Sequence, residues 1–380
     1  MKKPTFWMFT HNFTNTGAPL VLADLAREMA DFGLRNQIRV VSWGGKHDLR
    51  HSTLQNELIS DGIACQILDS ASPIPIPDKS DRVLLNSLAL PEHIIKKSLD
   101  WLRKGSIGRL DWFAHEGNPE IWLASSEWIA EIVEALNSGR LHLRVPSIKV
   151  LETYRLWLKY DGLNLAIQNP RLFKTEETKE LFLSPLPTFD TLRFQITAMA
   201  GAGQKGHLWL VNLLRQVLMI DQDKVSSLRP IELFFIGLET GPYAAFSREI
   251  CRQATDLLGQ RFVWTEHGMR KDALATMRRA NISVCCSLSE TFSLVSVEAM
   301  ALGQPVLRNR TGGFDEQLHD QVNGFDLGAP SPKVTDHQVQ LIRKLRDPLK
   351  VSNRQLVEMS CCARDTAKQF SLLQYSGWLL

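Results

Sequence analysis

Short apolar runs alternate with helical patterns along most of this chain of 380 residues. Each run has the length of a strand, and each helical pattern is long enough to connect two parallel strands. Two prolines, Pro185 and Pro187, interrupt the pattern, which then starts again at Leu192. The alternation therefore predicts an α/β protein with two doubly wound, Rossmann-like domains facing a cleft.

The apolar runs and helical patterns define the predicted elements. Strands of the first half are predicted at Thr5–Phe9, Ile38–Ser42, Ile63–Leu68, Arg82–Asn86, Leu110–Ala114 and Leu163–Gln168, and helices at Leu20–Phe32, at Pro91–Lys104 and over most of 120–165. Strands of the second half are predicted at Arg193–Met199, Ile231–Ile236, Phe262–Trp264, Ile282–Cys286 and Pro305–Leu307, and helices at His207–Ile220, Tyr243–Leu258, Lys271–Ala280 and 350–370. We predict a hinge at 184–191, between a first domain over 1–187 and a second over 188–365.

Composition excludes several classes of protein. Lys and Arg exceed Asp and Glu by only three (44 against 41), which argues against a nucleic-acid partner. No stretch approaches the roughly 18 uninterrupted apolar residues of a transmembrane helix, and the apolar part of the amino terminus is too short for a signal peptide. Six cysteines without a C-x-x-C spacing predict free, buried thiols in a reducing compartment. The expected location is the cytoplasm.

Residues 285–313 carry the strongest functional signal. The apolar run ending at Cys286 is followed by small polar residues, by Glu290 and by a helical pattern that begins at Thr291, with Glu298 about two turns into it. Unpaired N–H groups at a helix start attract phosphate, and a carboxylate accepts hydrogen bonds from sugar hydroxyls. Amides for a diphosphate between two carboxylates for hydroxyls indicate a pocket for a sugar nucleotide.

This block resembles the E-x7-E signature of retaining glycosyltransferases with the GT-B fold, of the large family four or "glycosyl transferases group 1" type. Those proteins have roughly S-x-x-E-x-F-[GS]-L-x-x-x-E-A-M-A-x-G-x-P-V before a Gly-Gly turn, and residues 287–313 match nearly every fixed position. Gly303 is the predicted C-terminal cap of the helix. The resemblance implies that a C-terminal helix, about 366–380, completes the first domain. It also implies donor contacts from Thr291, Phe292, Ser293, Leu294 and Glu298, and from Gly237 after an earlier strand.

A second glycine-rich segment, with Gly203 and Lys205, follows the first strand of the second domain. A lysine there can reach a diphosphate as a point charge, in a contact worth about 1.5–3 kcal/mol. The resembling proteins usually carry an arginine five residues before this lysine, where this chain has Ala200. Either Arg308 or Arg310 supplies the second cation, or donor binding is weakened.

Two further sites are predicted in the first domain. The turn after the first strand contains Gly17 and Ala18; the resemblance implies that it touches the donor phosphates and the acceptor, and an ordinary strand-to-helix turn is the alternative. His115 lies at the carboxyl end of a strand, where the resemblance implies contact with the sugar near the reacting carbon. Glu116 ranks second, because strand alternation turns adjacent side chains to opposite faces.

The resemblance implies sugar transfer from a nucleoside-diphosphate donor to an acceptor hydroxyl, with retention at the anomeric carbon and with neither cofactor nor metal. His115, Glu290 and Lys205 are the predicted catalytic residues. Lys205, the amides of 291–294 and the helix dipole would stabilise the diphosphate leaving group. Glu290 would hold hydroxyls of the donor sugar, and Glu298 those of the ribose. No carboxylate is placed as a nucleophile, so a front-face displacement is favoured.

The predicted partners are a nucleotide-sugar donor and a glycan or lipid-linked acceptor. The segments 101–109 and 140–160 are predicted as helices that combine basic residues with Trp101, Trp157 and Tyr160. Such a mixture suits peripheral contact with an anionic inner membrane face, and an ordinary amphipathic helix is the alternative. Two other functions stay open: a catalytically impaired binding or scaffold module, and a GT-B sugar-nucleotide epimerase or glycosyl phosphorylase.

Overall fold

The computed structural model describes residues 3–13, 17–43, 49–69, 72–123, 126–172, 176–198, 202–220, 229–237, 244–266, 270–329, 344–370, 377 and 379. The chain divides into two compact units, Met1–Phe173 with Leu372–Leu380, and Lys174–Ser371. Each unit has its own parallel sheet and its own hydrophobic core. Some predicted positions lie outside the described residues: Ala200, Met199, Thr14 to Thr16, 238–243, His267 and most of the tail from Tyr375.

The first unit is built on seven parallel strands. They are β1 (Phe6–Thr10), β2 (Ile38–Trp43), β3 (Ala64–Leu68), β4 (Arg82–Asn86), β5 (Leu110–Phe113), β6 (Leu141–Val145) and β7 (Leu165–Ile167), in the order β3-β2-β1-β4-β5-β6-β7. Its helices are α1 (Gly17–Met29), α2 (Leu49–Ser60), α3 (Glu92–Arg103), α4 (Pro119–Trp122), α5 (Ser126–Asn137) and α6 (Ile148–Leu158). The strand order reverses between β1 and β4, and ligands of such sheets bind beside the carboxyl ends of the strands at that point.

The second unit is built on six parallel strands. They are β8 (Leu192–Thr197), β9 (Ile231–Gly237), β10 (Phe262–Glu266), β11 (Ile282–Cys285), β12 (Val306–Asn309) and β13 (Gly324–Gly328), in the order β10-β9-β8-β11-β12-β13. Its helices are α7 (Glu176–Leu183), α8 (His207–Ile220), α9 (Ala244–Leu258), α10 (Arg270–Met277), α11 (Leu294–Ala301), α12 (Phe314–Gln317), α13 (Asp347–Lys350) and α14 (Asn353–Gln369). Here the strand order reverses between β8 and β11.

Continuous burial explains why both sheets are parallel and covered. In β4 three consecutive residues, Val83 to Leu85, are buried, and in β9 the four from Leu233 to Ile236 are buried. A strand whose successive side chains all enter a core must be covered on both faces, as crossover helices do in a parallel sheet. The prediction of two doubly wound, Rossmann-like sheets is therefore confirmed.

Some predicted elements were wrong or incomplete. The region 120–165 is mostly helical as predicted, but it also contains a strand that was not predicted, because β6 pairs with β5 and β7 in its middle. Its buried residues alternate with half-buried ones over five positions, which is the period of a strand rather than a helix. Strand β13 was not predicted; it begins at Gly324, where a Cβ would collide with the Val306 backbone of the neighbouring strand.

The division between the units differs from the predicted boundary at 187/188. It falls at 173/174, because the segment before β8 is held within the second unit. The Arg364 guanidinium donates to the carbonyls of Ser184 (2.8 Å) and Leu302 (3.3 Å), and Arg278 pairs with Glu180 at 3.1 Å. Helix α14, which carries Arg364, also belongs to the second unit, and the chain returns to the first unit at Leu372 rather than at about 366.

Candidate active site

In the second unit, the loops after β8 and β11 meet where the strand order reverses. Lys205 ends a single 3-10 turn (Gly203–Lys205) after β8, and Glu290 lies in the loop after β11. The Lys205 Nζ is 3.1 Å from the Glu290 Oε2, with the two side chains 29% and 16% exposed. The charge of Glu290 raises the pKa of Lys205 against the opposing effect of burial. Two predicted site residues thus form a half-buried ion pair, here called the charged cluster.

Backbone contacts fix the two loops against each other. The Leu288 amide donates to the Gln204 carbonyl at 2.7 Å. Gly206 has a φ of +78°, and a Cβ there would collide with the carbonyl oxygen and sulfur of Cys286. Only glycine fits such a left-handed position in such close contact. The glycine after Lys205 therefore lets the lysine loop approach the end of β11.

Helix α11 begins later than predicted, at Leu294. Ser293 is its N-cap, and the Ser293 hydroxyl accepts from the Ser296 amide at 3.3 Å, a contact that satisfies one of the unpaired donors of the first turn. The Thr291 amide donates to the carboxylate of Glu290 at 3.2 Å. Within the described residues, the amides of Phe292, Ser293 and Leu294 have no hydrogen-bond partner. These three N–H groups, rather than that of Thr291, are available to an anion.

The Gly312-Gly313 turn packs against the backbone of Glu290 and Thr291. The Gly312 amide donates to the Glu290 carbonyl at 2.9 Å, and a Cβ on Gly312 would lie 2.5 Å from that oxygen and 2.7 Å from the Thr291 carbonyl oxygen. Gly313 has a φ of +71°, close to the ring of Phe292. The backbone that carries Glu290 therefore rests directly on this turn.

Arg308 and Arg310 are not placed as a second cation for this cluster. Arg308 is fully buried and donates to the carbonyls of Gly312 and Gly313 and to the Gln317 side chain. The Arg310 guanidinium is 2.5 Å from the Asp326 carboxylate. Arg308 was one of two candidates for that cation; its guanidinium instead holds the Gly-Gly turn. The described contacts of Arg310 join it to Asp326 rather than to Lys205 or Glu290.

The other donor residues predicted from the sequence lie on the same unit. Glu298 is buried in the second turn of α11, and Gly237 is the last residue of β9, opposite Glu266 in β10. Gly303 follows α11 with a φ of +77°, so the predicted cap of this helix is confirmed. The described contacts join Lys205 to Glu290 but do not join either of them to Gly237.

In the first unit, three strand ends meet at a histidine. The His115 Nε2 is 2.9 Å from the Asn86 Oδ1, and the Asn86 Nδ2 donates to the Ala18 carbonyl at 2.8 Å. Asn86 ends β4, His115 follows β5, and Ala18 lies in the first turn of α1, the helix that follows β1. The strands β1, β4 and β5 are neighbours in the sheet. Two predicted residues, His115 and Ala18, are thus joined through Asn86, and the three are here called the histidine cluster. Gly17, with a φ of +30°, begins α1 beside them.

Burial, and then the charge of His11, lower the pKa of His115 to about 3. The ring is therefore neutral at physiological pH. Glu116 faces other partners: its carboxylate accepts from the Ser87 hydroxyl and from the Leu88 amide (2.7 Å). This arrangement agrees with the lower rank given to Glu116 as a catalytic group.

Ser87 holds the end of β4 in a strained conformation. Its φ is +134°, which is rare for a residue with a Cβ. The Ser87 carbonyl accepts from the Trp112 indole at 3.2 Å, and its hydroxyl accepts from the Ala89 amide at 2.8 Å. Bonds on both sides therefore fix the turn that directly follows Asn86.

Comparison with known proteins identifies the family that the second unit resembles. Residues 204–354 match the family model "Glycosyl transferases group 1". The match begins beside Lys205 and includes Glu290 and Glu298, so it supports that family on the unit that carries the charged cluster. Two curated proteins named D-inositol 3-phosphate glycosyltransferase are similar over short segments: 38% identical over 71 residues in Nocardiopsis dassonvillei and 34% over 79 residues in Thermobifida fusca. These matches cover 19% and 21% of this chain and only 16% and 18% of the relatives' own length.

Solved structures match over nearly the whole chain. HepE from Anabaena, crystallised with UDP and glucose, is 14% identical with a TM-score of 0.69, over 99% of this chain and 98% of that one. Sucrose-phosphate synthase from Thermosynechococcus elongatus is 16% identical with a TM-score of 0.63, over 97% and 95%. WaaG, a glycosyltransferase of lipopolysaccharide biosynthesis, is 15% identical with a TM-score of 0.58, over 98% and 96%. At these identities the likeness shows the fold, which is the GT-B combination of two Rossmann-like domains.

A cavity of about 270 Å³ lies beside the lysine loop of the second unit. It is lined by Gly203, His207, Leu208, Trp209, Asn212, Phe246 and Ile250. His207 is 1% exposed, and within the described residues neither ring nitrogen has a hydrogen-bond partner. Burial, and then the charge of Lys205, lower its pKa to about 3. This histidine is therefore kept neutral beside the charged cluster.

Sequence reasoning missed Asn86, which joins the two predicted parts of the histidine cluster. A signal was available: Asn86 is the polar end of the apolar run of β4, at the carboxyl edge where ligands of such sheets bind. That β4 neighbours both β1 and β5 could not be inferred from the chain order alone.

Three further expectations concern metals, membranes and thiols. Among the described residues no group of three or more His, Cys, Asp or Glu could hold a metal ion, and metal independence stays a prediction. None of the described helices has the length and apolarity to cross a membrane. All six cysteines are free. They are not all buried as predicted, because Cys361 is exposed on α14.

Proposed function

We propose that the protein is a retaining, metal-independent glycosyltransferase that moves a sugar from a nucleoside-diphosphate donor to a hydroxyl of a glycan or lipid-linked acceptor. The observation that carries this proposal is the charged cluster at the reversal of strand order in the second unit. Lys205 and Glu290 lie 3.1 Å apart beside the capped start of α11. The match of 204–354 to group 1 glycosyl transferases supports the proposal.

Each group of the cluster suits one part of such a donor. The Lys205 ammonium and the amides of Phe292, Ser293 and Leu294 would hold the diphosphate, and the dipole of α11 would add to their effect. The Glu290 carboxylate would accept from hydroxyls of the sugar, and the buried Glu298 from those of the ribose. Because Lys205 is already paired with Glu290, the pair would orient the sugar and its leaving group together.

The reaction breaks the bond from the anomeric carbon to the diphosphate oxygen and forms a bond from the same carbon to the acceptor oxygen. The acceptor proton passes to the departing phosphate oxygen, so charge and atoms balance without a protein nucleophile. Lys205 and the amides stabilise the charge that develops on the diphosphate. Departure and attack on one face of the sugar retain the configuration, which an NMR assignment of the product's anomeric proton tests. An inverted product would contradict this mechanism.

A titration with nucleoside diphosphates tests the proposal directly. UDP comes first because the HepE structures were solved with UDP and UDP-glucose; GDP, ADP, CDP and dTDP follow. We expect micromolar binding of one of them, about −8 kcal/mol, and a loss of at least tenfold in Glu298→Gln and Glu298→Ala. Glu358→Gln, on the exposed face of α14 in the same unit, is the matched control.

Absence of binding to all five nucleotides would contradict the proposal and favour a scaffold module in which the missing arginine at Ala200 has disabled the pocket. Binding without transfer, or with release of an epimerised nucleotide sugar, would favour the epimerase alternative. Circular dichroism of each variant shows whether a loss of binding reflects a loss of fold.

Peripheral membrane contact is a second part of the proposal, and the structure changes the residues that support it. Trp101 is 3% exposed in the core of the first unit, so it cannot enter a membrane. The outer face of α6 instead carries Leu156, which is 80% exposed, beside exposed Lys149, Arg155 and Lys159. Sedimentation with anionic and neutral vesicles tests this face. Leu156→Ser with Arg155→Gln should abolish retention by the anionic vesicles.

A further inference from the structure

The histidine cluster of the first unit fixes the position of one proton. The Asn86 Nδ2 lies 2.8 Å from the Ala18 carbonyl oxygen, and a carbonyl oxygen can only accept. The amide of Asn86 is therefore oriented with its NH2 group toward Ala18 and its oxygen toward His115. The orientation follows from the chemistry of the partner rather than from the shape of the side chain.

The orientation of the Asn86 amide also fixes the tautomer of the His115 imidazole. The Asn86 Oδ1 is an acceptor, so the His115 Nε2 at 2.9 Å must carry the hydrogen. A neutral imidazole has one donor and one acceptor nitrogen. The Nδ1 is therefore the acceptor. Within the described residues it has no hydrogen-bond partner, and His115 is only partly buried.

The surroundings keep the ring neutral. The ring centroids of Phe113 and His115 lie 4.0 Å apart, with an angle of 36° between the ring planes. The phenyl ring carries no charge that would stabilise a protonated imidazole. The positive charge of His11 would repel an imidazolium. The carboxylate of Glu116, the next residue along the chain, is bound by Ser87 and Leu88. Burial acts in the same direction as His11.

We propose that Asn86 is a positioning residue that holds His115 in the Nε2–H form, so that Nδ1 accepts a hydrogen bond from a neutral hydroxyl of the substrate. An anionic oxygen such as that of a phosphate carries no hydrogen and is repelled by this lone pair. The histidine cluster thus selects a hydroxyl, whereas the charged cluster of the second unit suits an anion. That this hydroxyl belongs to a substrate rests on the proposed glycosyltransferase function; the tautomer and its preference for hydroxyls do not.

Asn86 also links this proton to the first turn of α1, because its amide donates to the Ala18 carbonyl. If Asn86 loses its donor, this link between α1 and the imidazole is lost. Asn86→Asp is the most informative change. An aspartate has nearly the same shape but has no N–H for Ala18, and its charge stabilises the imidazolium form.

The experiment uses the full-length protein labelled with 15N-histidine. Two-bond 15N–1H spectra assign the tautomer, and a pH series gives the pKa of His115, with His115→Gln identifying its signals. We expect the Nε2–H tautomer at pH 7 and a raised pKa in Asn86→Asp. Asn164→Asp is the matched control, because the Asn164 amide donates to the Leu136 carbonyl at 2.8 Å in the same unit and has no histidine partner. An Nδ1–H tautomer, an imidazolium at pH 7, or an unchanged pKa in Asn86→Asp would overturn the role of Asn86.

Two small probes test the preference for hydroxyls. Methyl α-D-glucopyranoside offers neutral hydroxyls, and sulfate, which carries no hydrogen at pH 7, offers only anionic oxygens. We expect the Nδ1 resonance of His115 to move with the glucoside and not with sulfate. A larger response to sulfate, or no response to the glucoside, would overturn that part. None of these readouts needs a nucleotide, so failure of the nucleotide titration and failure of this inference are separate results.

Discussion

The two units have the same order of strands around the reversal point, but one carries a charged cluster there and the other a neutral one. In the second unit, a lysine and a glutamate 3.1 Å apart lie beside the reversal of strand order. In the first unit, the corresponding edge holds a neutral histidine bound to an amide. Charged groups suit an anionic leaving group, and a neutral hydrogen-bond acceptor suits a hydroxyl rather than an anion. Under the proposed function, each unit would therefore provide a different kind of recognition on the same fold.

The two clusters also differ in what holds them. Glu290 rests on backbone, because the Gly312-Gly313 turn lies directly behind it. His115 is held by side chains, through Asn86 and the ring of Phe113. Where backbone packs against backbone, as at Gly312, an added Cβ has no space. Where side chains hold a group, as at His115, replacing one side chain changes the hydrogen bonds and the pKa of that group. The following predictions test this contrast, from the largest expected effect to the smallest.

Gly312→Ala should have the largest effect. Its Cβ would lie 2.5 Å from the Glu290 carbonyl oxygen and 2.7 Å from that of Thr291. Backbone on both sides cannot move away as a flexible side chain would, so we expect a loss of about 3 kcal/mol in the free energy of unfolding. Urea denaturation measures it. Gly203→Ala, where a Cβ meets nothing within 4 Å, should stay within about 0.5 kcal/mol; equal losses in both variants would contradict the backbone support of Glu290.

The second prediction concerns the coupling between Lys205 and Glu290. Lys205→Met leaves a mostly buried carboxylate without its cation, and we expect a loss of about 1–3 kcal/mol in the free energy of unfolding. Adding Glu290→Gln should recover part of it, since the uncompensated charge is then gone. A double-mutant cycle gives the coupling. The control cycle on Arg354 and Glu358, which are 89% and 60% exposed, should give no more than about 0.5 kcal/mol. Equal couplings would mean that burial adds nothing to the charged cluster.

Both residues of the charged cluster were predicted from the sequence as site residues, although their pairing was not. The residues of the histidine cluster were predicted only in part. Lys205 and Glu290 lie in local motifs whose residue types and spacing already indicate phosphate and sugar chemistry. Asn86 has no such motif, because its role depends on β4 lying between β1 and β5, which is a long-range property of the sheet. The burial of Arg308 could not be predicted either. An arginine is usually exposed, but this one is fully buried against the Gly-Gly turn.

Most of the fold followed from the sequence because apolar runs and helical periods are local. The strand Arg82–Asn86 and the helix His207–Ile220 were predicted with the bounds that the structure has. The misses have physical reasons. Strand β6 alternates buried and half-buried residues inside a mostly helical region, and the start of α11 depends on the hydroxyl of Ser293 rather than on an apolar period. The domain boundary depends on where Arg364 donates its hydrogen bonds.

The third prediction is a difference in acid sensitivity between the units. The pKa of His207 is about 3 in the folded unit against an ordinary value of 6.5, so below about pH 6.5 the unfolded chain binds a proton that the folded unit does not. Stability should therefore fall as the pH drops, by about 2 kcal/mol between pH 7.5 and pH 5 for this group. Hydrogen exchange at the two pH values, followed by mass spectrometry, measures this loss for each unit separately. His207→Leu should remove it from the second unit.

In the first unit, the buried Asp111 acts in the opposite direction. Burial raises the pKa of Asp111 to about 6 from an ordinary value of 3.8, so between these values the folded unit binds the extra proton and gains stability as the pH falls. This gain offsets part of the loss that His115 causes. Asp111→Asn should therefore make the first unit more acid-sensitive. An unchanged pH dependence in His207→Leu would show that His207 is not the source of the effect in the second unit.

The smallest effect is expected from Arg310→Gln. The Arg310 guanidinium is 60% exposed, lies 2.5 Å from Asp326 and stands over the ring of Phe314 at 5.9 Å. The described contacts do not join Arg310 to Lys205 or Glu290, and solvent screens the charge of an exposed guanidinium, so we expect the affinity for the bound nucleoside diphosphate to change less than about twofold. Lys205→Met, titrated in parallel, should lose about tenfold or more, because its contact with the diphosphate is charge-assisted. A tenfold loss in Arg310→Gln would instead show that Arg310 leaves Asp326 to bind the donor, and the second unit would then supply two cations rather than one.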